Sequence, residues 1–137
     1  MIKPVTITFS GEHNQDGNLE KSNLKANGTL KKRGNITALE YTEPDGEMGN
    51  SKSQIKIHSR NHIELKREGI YETVFIIEEG KTHPCLYKTP FGEMTMHISA
   101  QKVIAEIDEN GGKIELYYTI KSNSQIIGEN SLIMNIE

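Results

Sequence analysis

The chain has 137 residues, of which 34% are hydrophobic and 26% are charged, and its formal net charge is -3. This length is close to the usual size of one domain, so we predict a single domain over residues 1–137. The 16 basic and 19 acidic residues are spread along the chain, which argues against nucleic acid as a partner. No segment approaches the ~20 apolar residues that a membrane helix needs, so we predict no membrane association.

The first residues and the cysteine content indicate where the protein resides. Residues 1–9 alternate between apolar and polar side chains, whereas a secretory signal has an unbroken apolar stretch. The single cysteine, Cys85, excludes an internal disulfide and fits a reducing compartment. These features together predict a cytoplasmic protein.

Apolar residues recur with a period of two, which is the pattern of strands with one buried face. Such runs lie at residues 5–9, 55–57, 63–65, 94–98, 114–120 and 132–136. Turn-forming clusters, such as Glu79-Gly80-Lys81 and Ser122-Asn123-Ser124, separate them. The spacing leaves no room for the helical crossovers of a parallel sheet, so we predict consecutive antiparallel hairpins.

Three segments need individual interpretation. Residues 99–110 fit either a short helix or a strand, and the alternation of Val103, Ala105 and Ile107 favours the strand. The polar segment from Glu12 to Ser22 is predicted to be a mobile loop, with a helical turn at residues 19–21. The basic run at residues 31–33 precedes Gly34-Asn35 and indicates a charged hairpin tip rather than a phosphate-binding patch.

Strands with one apolar face must stack as two sheets or close on themselves, because an open sheet leaves that face and two edges exposed. Consecutive hairpins without a long crossing connection favour a barrel over a sandwich. We therefore predict an all-β fold, in which an antiparallel meander of about eight to ten strands closes into a barrel.

A series of short motifs follows in a characteristic order. In the middle of the chain these are Arg67-Glu68-Gly69, Phe75, Glu79-Gly80-Lys81, Tyr87-Lys88-Thr89-Pro90-Phe91-Gly92 and Met94. The tail continues with Asn110-Gly111-Gly112, the alternating strand from Lys113 to Ile120, and Ile127-Gly128-Glu129-Asn130 before Leu132, Met134 and Ile136. This combination resembles the bacterial YwiB-like family of uncharacterised small β-barrel proteins over residues 2–137.

The resemblance implies a calycin-like (lipocalin-like) barrel, the architecture shared by lipocalins and fatty-acid-binding proteins. It implies no established activity, and it suggests a ligand cavity only through analogy of fold. The polar segment from Glu12 to Ser22 departs from the expected pattern and leaves the register of the first hairpin open.

The sequence carries no phosphate loop, nucleophile elbow or Cys/His zinc pattern. We therefore predict no metal site and no cofactor, and we rank an enzyme last among the function classes. His58 and His62 are interpreted as solvated surface residues, because a zinc site needs three or four ligands. Cys85, two residues from His83, is interpreted as a structural thiol rather than a nucleophile.

Arg67 is the most informative residue, because it shares the parity of Ile63 and Leu65 on the apolar side of a strand. A guanidinium in an apolar interior keeps its charge and requires a partner. Two interpretations stay open. Arg67 is either a structural plug within the barrel, which we favour, or an anchor for a carboxylate or phosphate ligand.

Other polar side chains share this inward parity, namely Tyr41, Tyr87, Tyr118 and Asn130. Buried hydroxyl and amide groups need hydrogen-bond partners. With Arg67 they form the polar end of an apolar ligand pocket, or they satisfy one another in a filled core. The predicted ligand-binding residues are Arg67, Tyr87, Tyr118 and Asn130.

Two function classes follow from these features. The first is a binding protein that holds a small apolar or anionic ligand inside the barrel. The second is a protein-interaction or self-assembly module, such as a homodimer, whose barrel is filled by side chains. A cavity that reaches Arg67 favours the first class, and a solid interior favours the second.

Overall fold

The computed structural model of the protein describes residues 2–15, 17–44, 50–69, 71–123 and 125–137. Its ten strands are β1 (Ile2–Gln15), β2 (Asn18–Arg33), β3 (Ile36–Pro44), β4 (Asn50–Ser59), β5 (His62–Glu68), β6 (Glu72–Glu78), β7 (Thr82–Thr89), β8 (Gly92–Asp108), β9 (Gly111–Ser122) and β10 (Gln125–Ile136). None of the described residues belongs to a helix long and apolar enough to cross a membrane.

Each strand pairs antiparallel with its neighbours in sequence, and β1 also pairs with β10, so the sheet closes into a barrel. The closing ladder runs from Ile7 opposite Ile136 to Asn14 opposite Glu129. The structure thus confirms the predicted all-β meander and its closure, with ten strands. The calycin-like assignment stays a prediction.

The barrel has two ends, which we name by their connections. The terminal end carries Ile2 and Glu137 together with the turns that follow β2, β4, β6 and β8. The far end is where each odd-numbered strand ends and the following even-numbered strand begins. Residues late in odd-numbered strands and early in even-numbered strands therefore lie near the far end.

Aliphatic side chains fill the terminal half and the middle of the barrel. The most completely buried are Ile7, Leu30, Leu39, Ile55, Ile63, Ile77, Ile98, Val103, Ile114, Leu116 and Met134. Burial of each such side chain contributes about 1.5–3 kcal/mol. This part of the interior is a packed core.

A bulge redirects β8 on its way to the terminal end. The register of β8 with β9 shifts between Ala100 and Lys102, which leaves an extra residue, Gln101. As a result Ala100 and Val103 are both buried, although uninterrupted alternation would put them on opposite faces. Residues 99–108 are therefore a bulged strand, and the preference for a strand over a helix is confirmed.

Hydrogen bonds attach the second half of β8 to the turns at the terminal end. The Val103 amide donates to Glu79 Oε1 at 3.0 Å, and Asn61 Nδ2 donates to the Val103 carbonyl at 2.8 Å. The Ala105 amide donates to the Arg60 carbonyl at 2.8 Å. These bonds fasten β8 across the turns that follow β4 and β6.

The prediction of a loop from Glu12 to Ser22 is wrong. β1 extends to Gln15 and β2 starts at Asn18, so these polar residues form the end of a long hairpin. The ladder with β2 covers β1 up to Gln15, and the ladder with β10 covers it up to Asn14. Backbone pairing on both sides of β1 outweighs the weak strand propensity of these residues.

The basic run at residues 31–33 ends β2 directly before the turn at Gly34, so the predicted charged hairpin tip is confirmed. Lys31 Nζ lies 3.0 Å from Glu40 Oε2 on the outer wall, and Gln54 Nε2 donates to Glu40 Oε1 at 2.9 Å. The hydrogen bond from Lys31 is the main cause that lowers the pKa of the Glu40 carboxyl, against the opposing effect of burial.

We expect Glu40→Gln to lower the free energy of unfolding at pH 7 by no more than about 1 kcal/mol, as for other surface ion pairs. Because the pKa of Glu40 is lower in the folded chain than in the unfolded chain, this stabilisation is complete above the unfolded pKa and disappears as the pH falls through the folded pKa. Urea unfolding at a series of pH values should show the two proteins converging in acid. A constant difference contradicts the assignment.

A second prediction concerns Gly28, where β2 and β3 approach closely. A Cβ atom at this position would lie 2.5 Å from the Glu40 carbonyl oxygen and 2.9 Å from Ile7 Cδ1. We expect Gly28→Ala to destabilise the fold by about 1–3 kcal/mol in urea unfolding, as overpacked cores do. Gly11→Ala is the matched control, because its Cβ would meet no atom nearer than 3.4 Å. Equal losses in the two variants contradict the prediction.

Candidate functional site

Polar side chains replace the aliphatic core in the far half of the barrel. On one wall, register pairs join Tyr41 to Ser53, Ser53 to Arg67, Arg67 to Thr73, and Thr73 to Tyr87. Paired residues project from the same face of a sheet, so this row from β3 to β7 faces inward as one set. Ser53 and Thr73 are buried, and Arg67 and Tyr87 are half-buried.

A second inward row lies on β9, β10 and β1. Tyr118 pairs with Asn130, and Asn130 pairs with His13. His13 Nδ1 and Asn130 Oδ1 are 2.6 Å apart and form a hydrogen bond. All three side chains are half-buried. We call the two rows together the polar layer.

Arg67 brings the two walls of the polar layer into electrostatic contact. It stands on β5 and Tyr118 on β9, four strands apart around the ring. Burial raises the pKa of the Tyr118 hydroxyl, and the positive charge of Arg67 acts in the opposite direction. The guanidinium charge of Arg67 thus influences the hydroxyl of Tyr118 on the other row.

The Ser53 hydroxyl oxygen and Asn130 Nδ2 are buried atoms of the polar layer that lack a hydrogen-bond partner among the described residues. An unsatisfied buried polar group costs about 1–3 kcal/mol, and folded proteins contain few of them. The amide nitrogen is a donor and the hydroxyl can donate, so an acceptor complements both groups.

Aromatic rings border the polar layer. The rings of Phe9 and Tyr41 are 5.0 Å apart between centroids, and those of Tyr71 and Tyr87 are 6.0 Å apart. Met94, opposite Tyr87 in the ladder of β7 with β8, is 53% exposed although it shares the inward parity of Tyr87. Apolar surface therefore adjoins the polar layer near the far end.

The structure places all four sequence-predicted site residues on the inner face, but it does not bring all of them together. Arg67 acts on Tyr118, and Tyr118 is the ladder partner of Asn130. Tyr87 lies two strands away from Arg67, beside Tyr71. Three of the four thus belong to one cluster.

Sequence reasoning missed His13 and Ser53. His13 continues the parity of Val5, Ile7 and Phe9, and this signal was obscured by interpreting residues 12–22 as a loop. Ser53 continues the parity of Ile55, but a lone serine before an apolar run carries no distinctive signal.

A pair of histidines, His58 and His62, lies on the outer wall. The rings of His58 and His62 lie 4.9 Å apart, and His58 Nε2 is 3.2 Å from Glu64 Oε2. No group of three or more His, Cys, Asp or Glu residues could hold a metal ion, as far as the described ranges extend.

A cleft of about 360 Å³ lies along the junction of β5, β6 and β7. Its lining combines Arg67 and Thr73 with outward-facing Lys66, Glu68, Glu72, Val74, Leu86 and Lys88. The backbone ladder between β6 and β7 has only two register pairs, at Glu72 and Thr73. Thr73 Oγ1 supplements this ladder, since it lies 3.1 Å from Cys85 Sγ and donates to the Leu86 carbonyl at 3.3 Å.

The geometry defines a small up-and-down β-barrel with a packed aliphatic half and a polar layer. Comparison with solved structures supports this class. The crystal structure of the ywiB protein from Bacillus subtilis superposes with a TM-score of 0.84 at 22% sequence identity, covering 98% of this chain and 92% of that one.

The sequence comparisons agree with this match. Residues 7–134 match the family described as a domain of unknown function, DUF1934, and the chain belongs to that family. The "Uncharacterized beta-barrel protein YwiB" of Bacillus subtilis (strain 168) is 25% identical over 115 residues, which are 84% of this chain and 80% of that protein. The predicted resemblance to the YwiB-like family is confirmed.

We expect Cys85 to behave as an inert thiol. It is 2% exposed, and burial raises its pKa more than the hydrogen bond with Thr73 lowers it. Iodoacetamide should alkylate it about 100-fold more slowly than an unfolded cysteine, because thiolate content and access both limit the reaction. In a Cys85→Ala background, Leu86→Cys supplies an exposed neighbour that should react fast. Equal rates at the two positions contradict the prediction.

Proposed function

We propose that the chain is a binding protein whose polar layer holds the anionic group of a small organic molecule. One observation carries the proposal: the Ser53 hydroxyl and Asn130 Nδ2 are buried donors with no partner among the described residues, in the layer that Arg67 occupies. An anion supplies acceptors for these two donors, and the positive charge of the guanidinium favours an anion over a neutral acceptor.

The donor content of the layer supports an anion over a cation or a neutral donor. Arg67 offers only donors, and the Asn130 amide nitrogen is likewise a donor. The hydroxyls of Ser53 and Tyr118 can donate or accept, so they adapt to an acceptor ligand. A ligand that brings only donor groups leaves the Asn130 amide nitrogen unsatisfied.

The surroundings of the layer support a ligand that also has an apolar part. The buried Phe9 ring contacts Tyr41 beside the layer, and Met94 exposes apolar surface near the far end. Pockets for small organic molecules combine a mostly apolar wall with a few polar groups that fix the orientation. A short-chain or medium-chain carboxylic acid has this composition.

The proposal has two further parts. The protein acts in the cytoplasm, and it binds its ligand without catalysing a reaction. The only cysteine is a buried free thiol, which fits a reducing compartment. The groups of the polar layer are suited to holding charge, and Cys85 has its thiol pKa raised rather than lowered.

A second candidate function, docking of another protein, is favoured by the edge of β2. The ladder of β2 with β3 covers Gly28 to Arg33, whereas its ladder with β1 continues to Asn18. This leaves one edge of residues 18–27 outside those ladders, and such an edge can accept another strand. A dimer in native mass spectrometry that disappears when proline replaces Asn23 would support this candidate.

The binding proposal is tested first by native mass spectrometry of gently purified protein, and then by titration with octanoate followed by NMR. We expect a saturable octanoate complex, and we expect Arg67→Met to weaken it by about tenfold or more, since hydrogen bonds to charged groups contribute about 1.5–3 kcal/mol. Arg60→Met is the matched control, because Arg60 lies at the terminal end and pairs with Glu106 on the surface. The proposal fails if octanoate does not bind, or if the two variants bind it equally.

A further inference from the structure

We propose that Asn130 is the residue that donates a hydrogen bond to the ligand's oxyanion, and that His13 is a positioning residue which holds the Asn130 amide in the donating orientation. This inference rests on the proposed function and names the chemistry that the site selects. It predicts that the barrel discriminates a carboxylate from the alcohol of the same length.

The hydrogen bond between His13 and Asn130 fixes which end of the amide is available. Oδ1 of Asn130 lies 2.6 Å from Nδ1 of His13. Since an amide oxygen only accepts, Nδ1 must carry the proton and donate it. Oδ1 is then occupied by the imidazole, and the NH₂ group is the end left for another molecule.

The backbone register makes this pair a rigid unit. His13 and Asn130 are opposite one another in the ladder that closes the barrel, so their Cα positions are fixed by the sheet. A side chain held by both its backbone and a partner loses little further freedom when a ligand arrives. The amide is therefore preorganised to donate.

Gly128 provides the space that the imidazole occupies. It lies on β10 at the bulge between Ile126 and Gly128. A Cβ atom at this position would be 3.0 Å from His13 Cε1. Any side chain at this position would press on the imidazole ring. The glycine is thus a third element of the arrangement, and it allows His13 to reach Asn130.

Asn130 Nδ2 is buried and has no partner in the part of the chain that the structure describes. Arg67 lies on the other inward row of the same polar layer. The layer therefore contains a cation as well as this donor, and this favours an oxyanion over a neutral oxygen. The shared chemistry is that of a carboxylate or phosphate oxygen.

The decisive measurement compares octanoate with 1-octanol as probes, using NMR titration of the full chain. We expect Asn130→Asp to weaken octanoate binding by about tenfold or more, because a carboxylate replaces the donor with a like charge. The affinity for 1-octanol should change by less than about threefold, since it carries no charge to repel. In the wild-type chain, the Asn130 side-chain amide resonance should move downfield with octanoate and stay in place with 1-octanol.

The positioning role of His13 has its own variants. His13→Ala frees the amide to rotate and should lower the ratio of octanoate to 1-octanol affinity, and Gly128→Ala should do the same by displacing the imidazole. His13→Gln offers an amide N–H to Asn130 Oδ1 and should restore the ratio. Because the readout is a ratio between two probes in one protein, a general loss of stability does not move it.

The outcomes separate this inference from the proposed function. If Arg67→Met weakens octanoate binding but Asn130→Asp and His13→Ala do not, the anion site stands and the role of Asn130 is wrong. If the wild-type chain binds neither probe, the proposed function fails and the inference fails with it. If Asn130→Asp does not fold, two measurements still test the role of Asn130. They are the shift of the Asn130 amide resonance in the wild-type chain and the ratio of octanoate to 1-octanol affinity in the His13 variants.

Discussion

The ladder between β1 and β10 is the constraint on which the rest of the structure depends. It joins the first and last strands, so the alternation of side chains must be consistent around the complete ring. If the register of any ladder shifted by one residue, the aliphatic side chains of a strand would move from the core to solvent. The same closure fixes His13 opposite Asn130, and it places the strands of Arg67 and Tyr118 four apart around the ring.

The packed aliphatic core explains why the barrel can tolerate polar groups in its far half. The packed aliphatic side chains of the terminal half and the middle supply the hydrophobic stabilisation, at about 1.5–3 kcal/mol for each fully buried residue. Two unsatisfied donors, Ser53 and Asn130, cost about 1–3 kcal/mol each. The core is large enough to offset that cost, so the polar layer can be kept for another purpose than stability.

Much of the fold is encoded in the period-two pattern, but its phase is not. Ile98 and Val103 belong to separate runs of alternation, and the sequence shows no reason why both should face inward. The bulge at Gln101 supplies that reason, because the extra residue changes the phase of β8. The hairpin of β1 and β2 was missed for a related reason: its strand structure comes from pairing on both sides of β1, which the local sequence does not show.

The candidate site was predictable to the extent that parity determines direction. Arg67, Tyr118 and Asn130 were identified because each shares a face with aliphatic residues of its own strand. Which of these side chains lie close together depends on the number of strands and on the register of every ladder between their strands. Tyr87 therefore has the predicted direction but lies apart from the cluster, whereas His13 joins it through the closing ladder.

The arrangement of the side chains in the polar layer bears on the proposed binding of a ligand. Arg67 stands on β5 and Tyr118 on β9, four strands apart around the ring, so the layer carries polar groups on both walls of the barrel. The hydrogen bond from His13 orients the Asn130 amide before any ligand arrives, which reduces the entropy lost on binding. The Ser53 hydroxyl and the Asn130 amide nitrogen are buried and have no hydrogen-bond partner among the described residues. These two donors are the reason why we propose binding as the role of the layer.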